Sequence, residues 1–102
     1  MRFFLVLALL APMSGPGPRK HVVEQKDKTF LTTELHISKG DSVVFTNKDA
    51  VMHNVFSTTA GFKFNLESQA PNTSKAIPFT QSGTAMVRCA FHPRMKLTVV
   101  VE

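Results

Sequence analysis

The sequence predicts an all-β fold, a two-sheet antiparallel β-sandwich with Greek-key connections, and three observations support it. Apolar and polar residues alternate in several short segments, as in strands that bury one face. Turn-forming residues separate these segments at regular spacing. No window of about eleven residues or more keeps helical periodicity. A chain of 102 residues has room for one domain with a single hydrophobic core.

The N-terminus reads as a secretory signal peptide. Arg2 supplies a positive start, residues 3–10 are an unbroken apolar run, and residues 11–18 follow as a helix-breaking tail of small residues, proline and glycine. A membrane anchor is the alternative, but the run is far shorter than the roughly 20 residues that span a bilayer. We therefore expect a signal peptide at 1–18, whose cleavage position the sequence does not fix, and a mature domain at 19–102.

The first predicted strand covers residues 22–25. Lys26-Asp27-Lys28 interrupts it, and Thr29-Phe30-Leu31 continues it. The next strands are predicted at 33–38 and 42–46, joined by a tight Lys-Gly-Asp turn.

Within the strand at 33–38, Leu35 and Ile37 share one face, so His36 on the other face is expected to be exposed. Residues 74–79 are a weaker strand candidate. Residues 61–69 are expected to form at most one short helical turn.

The last two predicted strands carry the most regular alternation. In residues 84–89, Ala85, Val87 and Cys89 face one way, so the thiol points inward with the apolar set. In residues 96–101, Leu97, Val99 and Val101 share a face, and Met95 has the same parity.

Composition limits the function classes. The net charge is +5, but the lysines are dispersed and form no basic run of the kind that binds nucleic acid. The charge reflects either a solvated basic surface or steering toward an acidic partner protein. Cys89 is the only cysteine, so no intramolecular disulfide can form. A free thiol in an oxidising compartment has to be buried or bound to metal.

The most informative motif is Cys89-Ala90-Phe91-His92-Pro93-Arg94-Met95, which places a thiol, an imidazole and a thioether in one loop. A second imidazole, His53, lies far upstream. Two imidazoles, a thiolate and a weak thioether are the ligand set of an electron-transfer copper site. Taken singly, each residue has an ordinary explanation: a buried cysteine, a core methionine, a surface histidine.

These residues resemble those of the small blue copper proteins, or cupredoxins, and among them amicyanin, pseudoazurin-like and plastocyanin-like proteins. The resemblance extends from residues 35–47, through His53-Asn54-Val55, to the Cys-x-x-His-x-x-Met loop and the final strand. The short loop, with Pro93 directly after the histidine, is most similar to that of amicyanin.

The resemblance implies one copper ion held by His53, Cys89 and His92 in a plane, with Met95 as the axial ligand. It also implies that Asn54 ties the strand of His53 to the Cys89 loop by hydrogen bonds, and that the edge of His92 is the electron exit, bordered by Pro93.

Two positions depart from the family pattern. Ala90 stands where a serine or threonine hydroxyl usually meets the asparagine, so one hydrogen bond is missing or rerouted. Arg94 stands where amicyanin has an apolar residue, which places a cation beside the expected docking surface. The usual dehydrogenase partner of amicyanin therefore cannot be assumed.

The sequence thus predicts an exported, periplasmic one-electron carrier that is not an enzyme. We expect cytochrome- or dehydrogenase-type redox partners, no nucleic acid, no membrane span in the mature form and a monomer. Three alternatives remain: a copper storage or delivery protein using the same ligands, a thiol enzyme with Cys89 as nucleophile and a histidine as base, and a metal-free structural module.

Overall fold

The computed structural model describes residues 17–102, which form nine strands and no helix. Nearly all of the predicted signal peptide lies in residues 1–16, outside the described residues. The strands are β1 (Lys20–Lys26), β2 (Thr29–Phe30), β3 (Glu34–Ile37), β4 (Ser42–Asn47), β5 (His53–Ser57), β6 (Phe64–Gln69), β7 (Ser74–Pro78), β8 (Gly83–Arg88) and β9 (Lys96–Val101). Over residues 17–102, we find no helix with the length and apolar character needed to cross a bilayer.

The strands form two sheets, which confirms the predicted β-sandwich. The first sheet has the order β2-β1-β4-β7 and the second has the order β3-β9-β8-β5-β6. Each sheet is mixed, because β1 pairs parallel with β4 and β3 pairs parallel with β9, whereas the other pairs are antiparallel. Period-two alternation shows which face of a strand is buried, but it does not show the direction of the neighbouring strand.

The strands β3 and β4 are adjacent in sequence, but they belong to different sheets and do not pair. The turn between them, where Gly40 has a φ of 98°, carries the chain across the sandwich. The prediction of two strands joined by a tight turn is confirmed, and the structure adds that this turn joins the two sheets rather than two neighbouring strands.

Residues 61–69, for which at most one short helical turn was expected, contain no helical turn, and residues 64–69 form strand β6 beside β5, which was not predicted. The register of this pair shifts between Asn54 and Phe56, and Glu67 has a positive φ of 59°. A bulge of this kind interrupts the alternation by which a strand is recognised in sequence.

The core lies between the sheets and consists of the alternating residues that the sequence analysis placed inward. Ala85, Val87 and Cys89 are buried, as are Leu97 and Val99 on the neighbouring strand. From the first sheet, β1 and β4 contribute further buried apolar side chains, Val23, Val43 and Phe45. Burying each side chain of this size stabilises the fold by about 1.5–3 kcal/mol.

Strand pairing brings two distant loops together at one end of the sandwich. Strands β5 and β8 are antiparallel, with Phe56 opposite Arg88. His53, at the start of β5, therefore comes beside the segment that follows the end of β8, which begins at Cys89. The 48–52 loop and the 89–95 loop meet there.

Candidate metal centre

Three of the four sequence-predicted ligands converge at this end of the sandwich. His53, Cys89 and His92 are the one cluster of potential ligands in the described range whose donor atoms all lie within 4.8 Å of one another. Nδ1 of His53 lies 3.2 Å from Nδ1 of His92. Sγ of Cys89 lies 3.9 Å from the first nitrogen and 3.7 Å from the second.

These distances fit a single first-row transition-metal ion. In a triangle with these sides, the centre lies about 2.1 Å from each corner, against about 2.0–2.1 Å for imidazole nitrogen and about 2.3 Å for thiolate sulfur bound to zinc. The donor set, with one thiolate and two imidazoles, is of the kind that copper prefers in electron-transfer sites.

Burial encloses the centre and favours the neutral, metal-binding form of His92. His53 is fully buried, Cys89 is 2% exposed, and His92 is half-buried with its ring at the surface end of the cluster. Desolvation lowers the pKa of His92 below 6.5, and the positive charges of Lys28 and Arg94 lower it further. A neutral imidazole keeps the lone pair that a metal requires.

Met95 lies beneath the loop and is completely buried. Its backbone N–H donates to the carbonyl oxygen of His92 at 2.9 Å, which closes the turn between the two residues. Both are therefore held in one local structure, and Met95 also packs among the core residues that follow it on β9.

Asn54 connects the two halves of the centre, as expected. Its Oδ1 accepts a hydrogen bond from the backbone N–H of Ala90 at 3.2 Å, and its own backbone N–H donates to Sγ of Cys89 at 3.4 Å. The bond that a hydroxyl at position 90 would supply is rerouted, because Nδ2 of Asn54 donates to Oδ1 of Asn65 at 2.8 Å and to the Glu67 carbonyl at 3.0 Å. The amide makes three hydrogen bonds without that hydroxyl.

Asp49 contacts the centre and was missed by sequence reasoning. Its Oδ2 lies 3.0 Å from Nε2 of His53 and accepts the backbone N–H of Lys28 at 2.8 Å. The Lys28 hydrogen bond first, and then those from His53 and Ala50, hold the pKa of Asp49 at about 2, against the opposing effect of burial. The four-residue spacing from His53 is the only signal in the sequence, and loop residues at this spacing need not meet.

The surface around His92 is apolar with a basic border. Phe91 is 51% exposed and Met52 is 47% exposed, and they come from the two loops that meet at the centre. Arg94 and Lys28 supply the cations near His92. Nη2 of Arg94 reaches the carbonyl oxygen of Asp27 at 3.5 Å, so the guanidinium lies beside the β1–β2 turn.

The other two histidines lie away from this centre. Nε2 of His21 contacts Oδ2 of Asp41 at 2.9 Å, at the start of β1 and β4. His36 is exposed, as predicted, and its ring nitrogens contact the carboxylates of Glu34 and Glu102. Both pairs lie at the end of the sandwich opposite the metal centre. The His21 pair is at the start of β4 and the His36 pair is beside the end of β9, whereas β4 ends and β9 begins beside the metal centre.

Comparison with known proteins gives consistent matches. The family model described as copper binding proteins, plastocyanin/azurin family, matches residues 19–102. Amicyanin-alpha from Methylorubrum extorquens is 36% identical over 98 residues, which cover 93% of this chain and 82% of that protein. Amicyanin from Paracoccus denitrificans is 35% identical over 85 residues, 79% of this chain, and the match spans 64% of that protein's length.

The structural comparison agrees with the sequence matches. The crystal structure of amicyanin from Paracoccus versutus superposes with a TM-score of 0.73 and 28% identity, covering 80% of each chain.

Proposed function

The chain belongs to the plastocyanin/azurin family of copper-binding proteins, and on that basis we propose that it is a type 1 blue copper protein that carries single electrons between redox partners. Copper, when bound, supplies the Cu(I)/Cu(II) couple. The observation that carries the proposal is the convergence of two imidazole nitrogens and one thiol sulfur on a single point at one end of a rigid sandwich.

We propose that His53, Cys89 and His92 would hold the copper ion as its strong ligands and that Met95 would be a weak fourth ligand. The first three have the donor atoms and distances that a single copper ion requires. For Met95 the support is its complete burial and its backbone bond to His92. A thioether at this position would tune the reduction potential of the copper rather than hold the ion in place.

The surrounding residues serve electron transfer by resisting movement. Asn54 bonds to Cys89 and Ala90, and so holds the β5 side of the centre against the 89–95 loop. Ligands that stay in place as the charge of the ion changes keep the reorganisation barrier low. The N–H that Asn54 donates to Cys89 withdraws negative charge from the sulfur, which favours the reduced state.

Burial also argues against copper storage or delivery as the main role. Handing a metal ion to another protein requires the acceptor to replace the ligands one at a time. His53 is fully buried and Cys89 is 2% exposed, so an incoming ligand reaches only the His92 side. An electron can leave through the His92 ring without any ligand exchange.

We propose that the partners are redox proteins with an acidic rim around an apolar contact. The basis is the apolar surface formed by Phe91 and Met52, bordered by the cations of Lys28 and Arg94. Such charges act mainly on the rate of encounter. The N-terminal sequence and the kinship with amicyanins support a periplasmic, monomeric carrier with no catalytic activity of its own.

Visible absorption on adding Cu(II) to the purified domain tests the proposal. An intense blue band from thiolate-to-copper charge transfer is expected, and the Cys89→Ser variant should lack it. A colourless wild-type protein would overturn the proposal. Stopped-flow exchange with a cytochrome then separates the two roles: slow exchange together with ready copper transfer to a chelating acceptor would favour delivery.

Replacement of Met95 tests the axial ligand. Met95→Leu keeps the volume and removes the sulfur, so the blue band should persist while the reduction potential changes. Met86→Leu is the matched control, because Met86 is half-buried on the opposite face of β8. If the two variants have the same potential, Met95 is not a ligand.

A further inference from the structure

The carboxylate of Asp49 contacts the proposed metal centre, although Asp49 is not one of the proposed ligands. Its side chain is 12% exposed, and it contacts the fully buried ring of His53 through Nε2, the nitrogen that faces away from the metal centre. A carboxylate has only acceptor atoms, so the proton of this hydrogen bond belongs to Nε2.

That hydrogen bond determines the tautomer of His53. A neutral imidazole carries one N–H, so placing it on Nε2 leaves the lone pair on Nδ1. Nδ1 is the atom that points at Cys89 and His92. Without the carboxylate, the proton could occupy either nitrogen. The tautomer that is protonated on Nδ1 could not bind the metal through that atom.

Asp49 is itself fixed from several directions. Its Oδ2 also accepts the backbone N–H of Lys28, and its Oδ1 accepts that of Ala50 at 3.0 Å. Its backbone N–H donates to Oδ1 of the fully buried Asn47 at 2.8 Å. The carboxylate therefore holds the ring in orientation as well as in tautomer.

We propose that Asp49 is a positioning residue for the copper centre, which presets His53 as an Nδ1 ligand and strengthens its donation to Cu(II). This inference rests on the proposed copper function. A carboxylate that accepts the far N–H of a ligating imidazole raises the basicity of that ligand. Its negative charge stabilises the doubly charged ion more than the singly charged one, so Asp49 lowers the reduction potential.

The two histidines consequently differ before metal arrives. Nδ1 of His53 accepts, so the proton between the two Nδ1 atoms, which lie 3.2 Å apart, is carried by His92. His53 is ready for the metal, whereas His92 has to shift its proton to Nε2. His92 is only half-buried, so solvent can assist that shift.

The test compares Asp49→Asn and Asp49→Ala with Asp41→Asn. Asp41 is the matched control, because it too accepts backbone N–H groups and contacts an imidazole, that of His21, but at the opposite end of the sandwich. Chelator competition gives the Cu(II) and Cu(I) affinities, and voltammetry gives the potential independently. The asparagine variant keeps an acceptor and loses the charge, while the alanine variant loses both.

We expect the Asp49 variants to lose about 10–100-fold in Cu(II) affinity, less in Cu(I) affinity, and to show a higher potential, with Asp41→Asn unchanged. In the metal-free wild-type protein at pH 8, ¹⁵N shifts should show His53 protonated at Nε2 and His92 at Nδ1. This measurement decides the inference even if the variants do not fold.

Two results would overturn it: Asp49 variants whose Cu(II) affinity and potential match the wild type, or a His53 ring protonated at Nδ1. A blue wild-type protein with unaffected Asp49 variants refutes this inference alone. A wild-type protein that does not turn blue with Cu(II) refutes the proposed function as well.

Discussion

Removing the Asn54 side chain should destabilise the domain strongly, although the residue is polar and lies at one end of the sandwich. Its amide makes three hydrogen bonds, to the Ala90 N–H, to Oδ1 of Asn65 and to the Glu67 carbonyl. The residue is 6% exposed, so water cannot fully replace these bonds. Asn54→Ala leaves their partners partly unsatisfied.

At about 1 kcal/mol for each bond, the expected loss in the free energy of unfolding of the metal-free protein is about 3 kcal/mol. In a domain of this size, that lowers the melting temperature by about 12–24 °C. Urea unfolding of the metal-free protein, followed by far-UV circular dichroism, measures the loss directly. The blue band of the copper-loaded variant should also bleach faster on chelation, since the 89–95 loop is no longer tied to β5.

Asn72→Gly is the control for Asn54→Ala. Asn72 is exposed, has a φ of 63° that glycine also adopts, and bonds through its backbone to the carbonyl of Asn47. Its replacement should change the free energy of unfolding by less than about 0.5 kcal/mol. If Asn54→Ala costs no more than this control, Asn54 does not connect β5 to the 89–95 loop as described.

Three further predictions concern acid, salt and metal. The N–H of Arg19 first, and then His21 and the Ser38 N–H, lower the pKa of Asp41 from 3.8 to about 2, so its ionised form favours folding. That contribution is complete above about pH 4 and disappears as the pH falls through about 2. The difference in the free energy of unfolding between the wild type and Asp41→Asn should therefore shrink to zero over this range. A difference that stays constant would contradict the prediction. Arg94→Gln should slow electron exchange with an acidic cytochrome and weaken the salt dependence of its rate. Arg88→Gln, at an exposed position on β8, should have neither effect. Equal effects of the two variants would show that Arg94 does not belong to the docking surface. Copper at 100 times its dissociation constant should stabilise the domain by about 2.7 kcal/mol, and a chelator should reverse this effect. A melting temperature that does not change when copper is added would contradict the prediction.

Local sequence was sufficient for most of the strands. Alternation in residues 84–89 and 96–101 predicts both the strands and their buried faces, because a side-chain period of two is fixed by the backbone of a single strand. It failed at β6, where a bulge breaks the period, and it did not show that β3 and β4 belong to different sheets. Pairing is a long-range property that no single segment encodes.

The ligand residues divide in the same way. Cys89, His92 and Met95 lie in one short loop, so their proximity follows from the chain itself, and the donor chemistry alone pointed to copper. The position of His53 beside them depends on the pairing of β5 with β8, and the contact of Asp49 with His53 depends on how the 48–52 loop folds back. The rerouted bonds of Asn54 likewise needed the bulged β6. The sequence by itself determined which atoms could bind a metal, because that is a property of side-chain chemistry. Only the tertiary structure decided which nitrogen of His53 faces the metal centre, because that depends on Asp49, which folding brings to the other side of the ring.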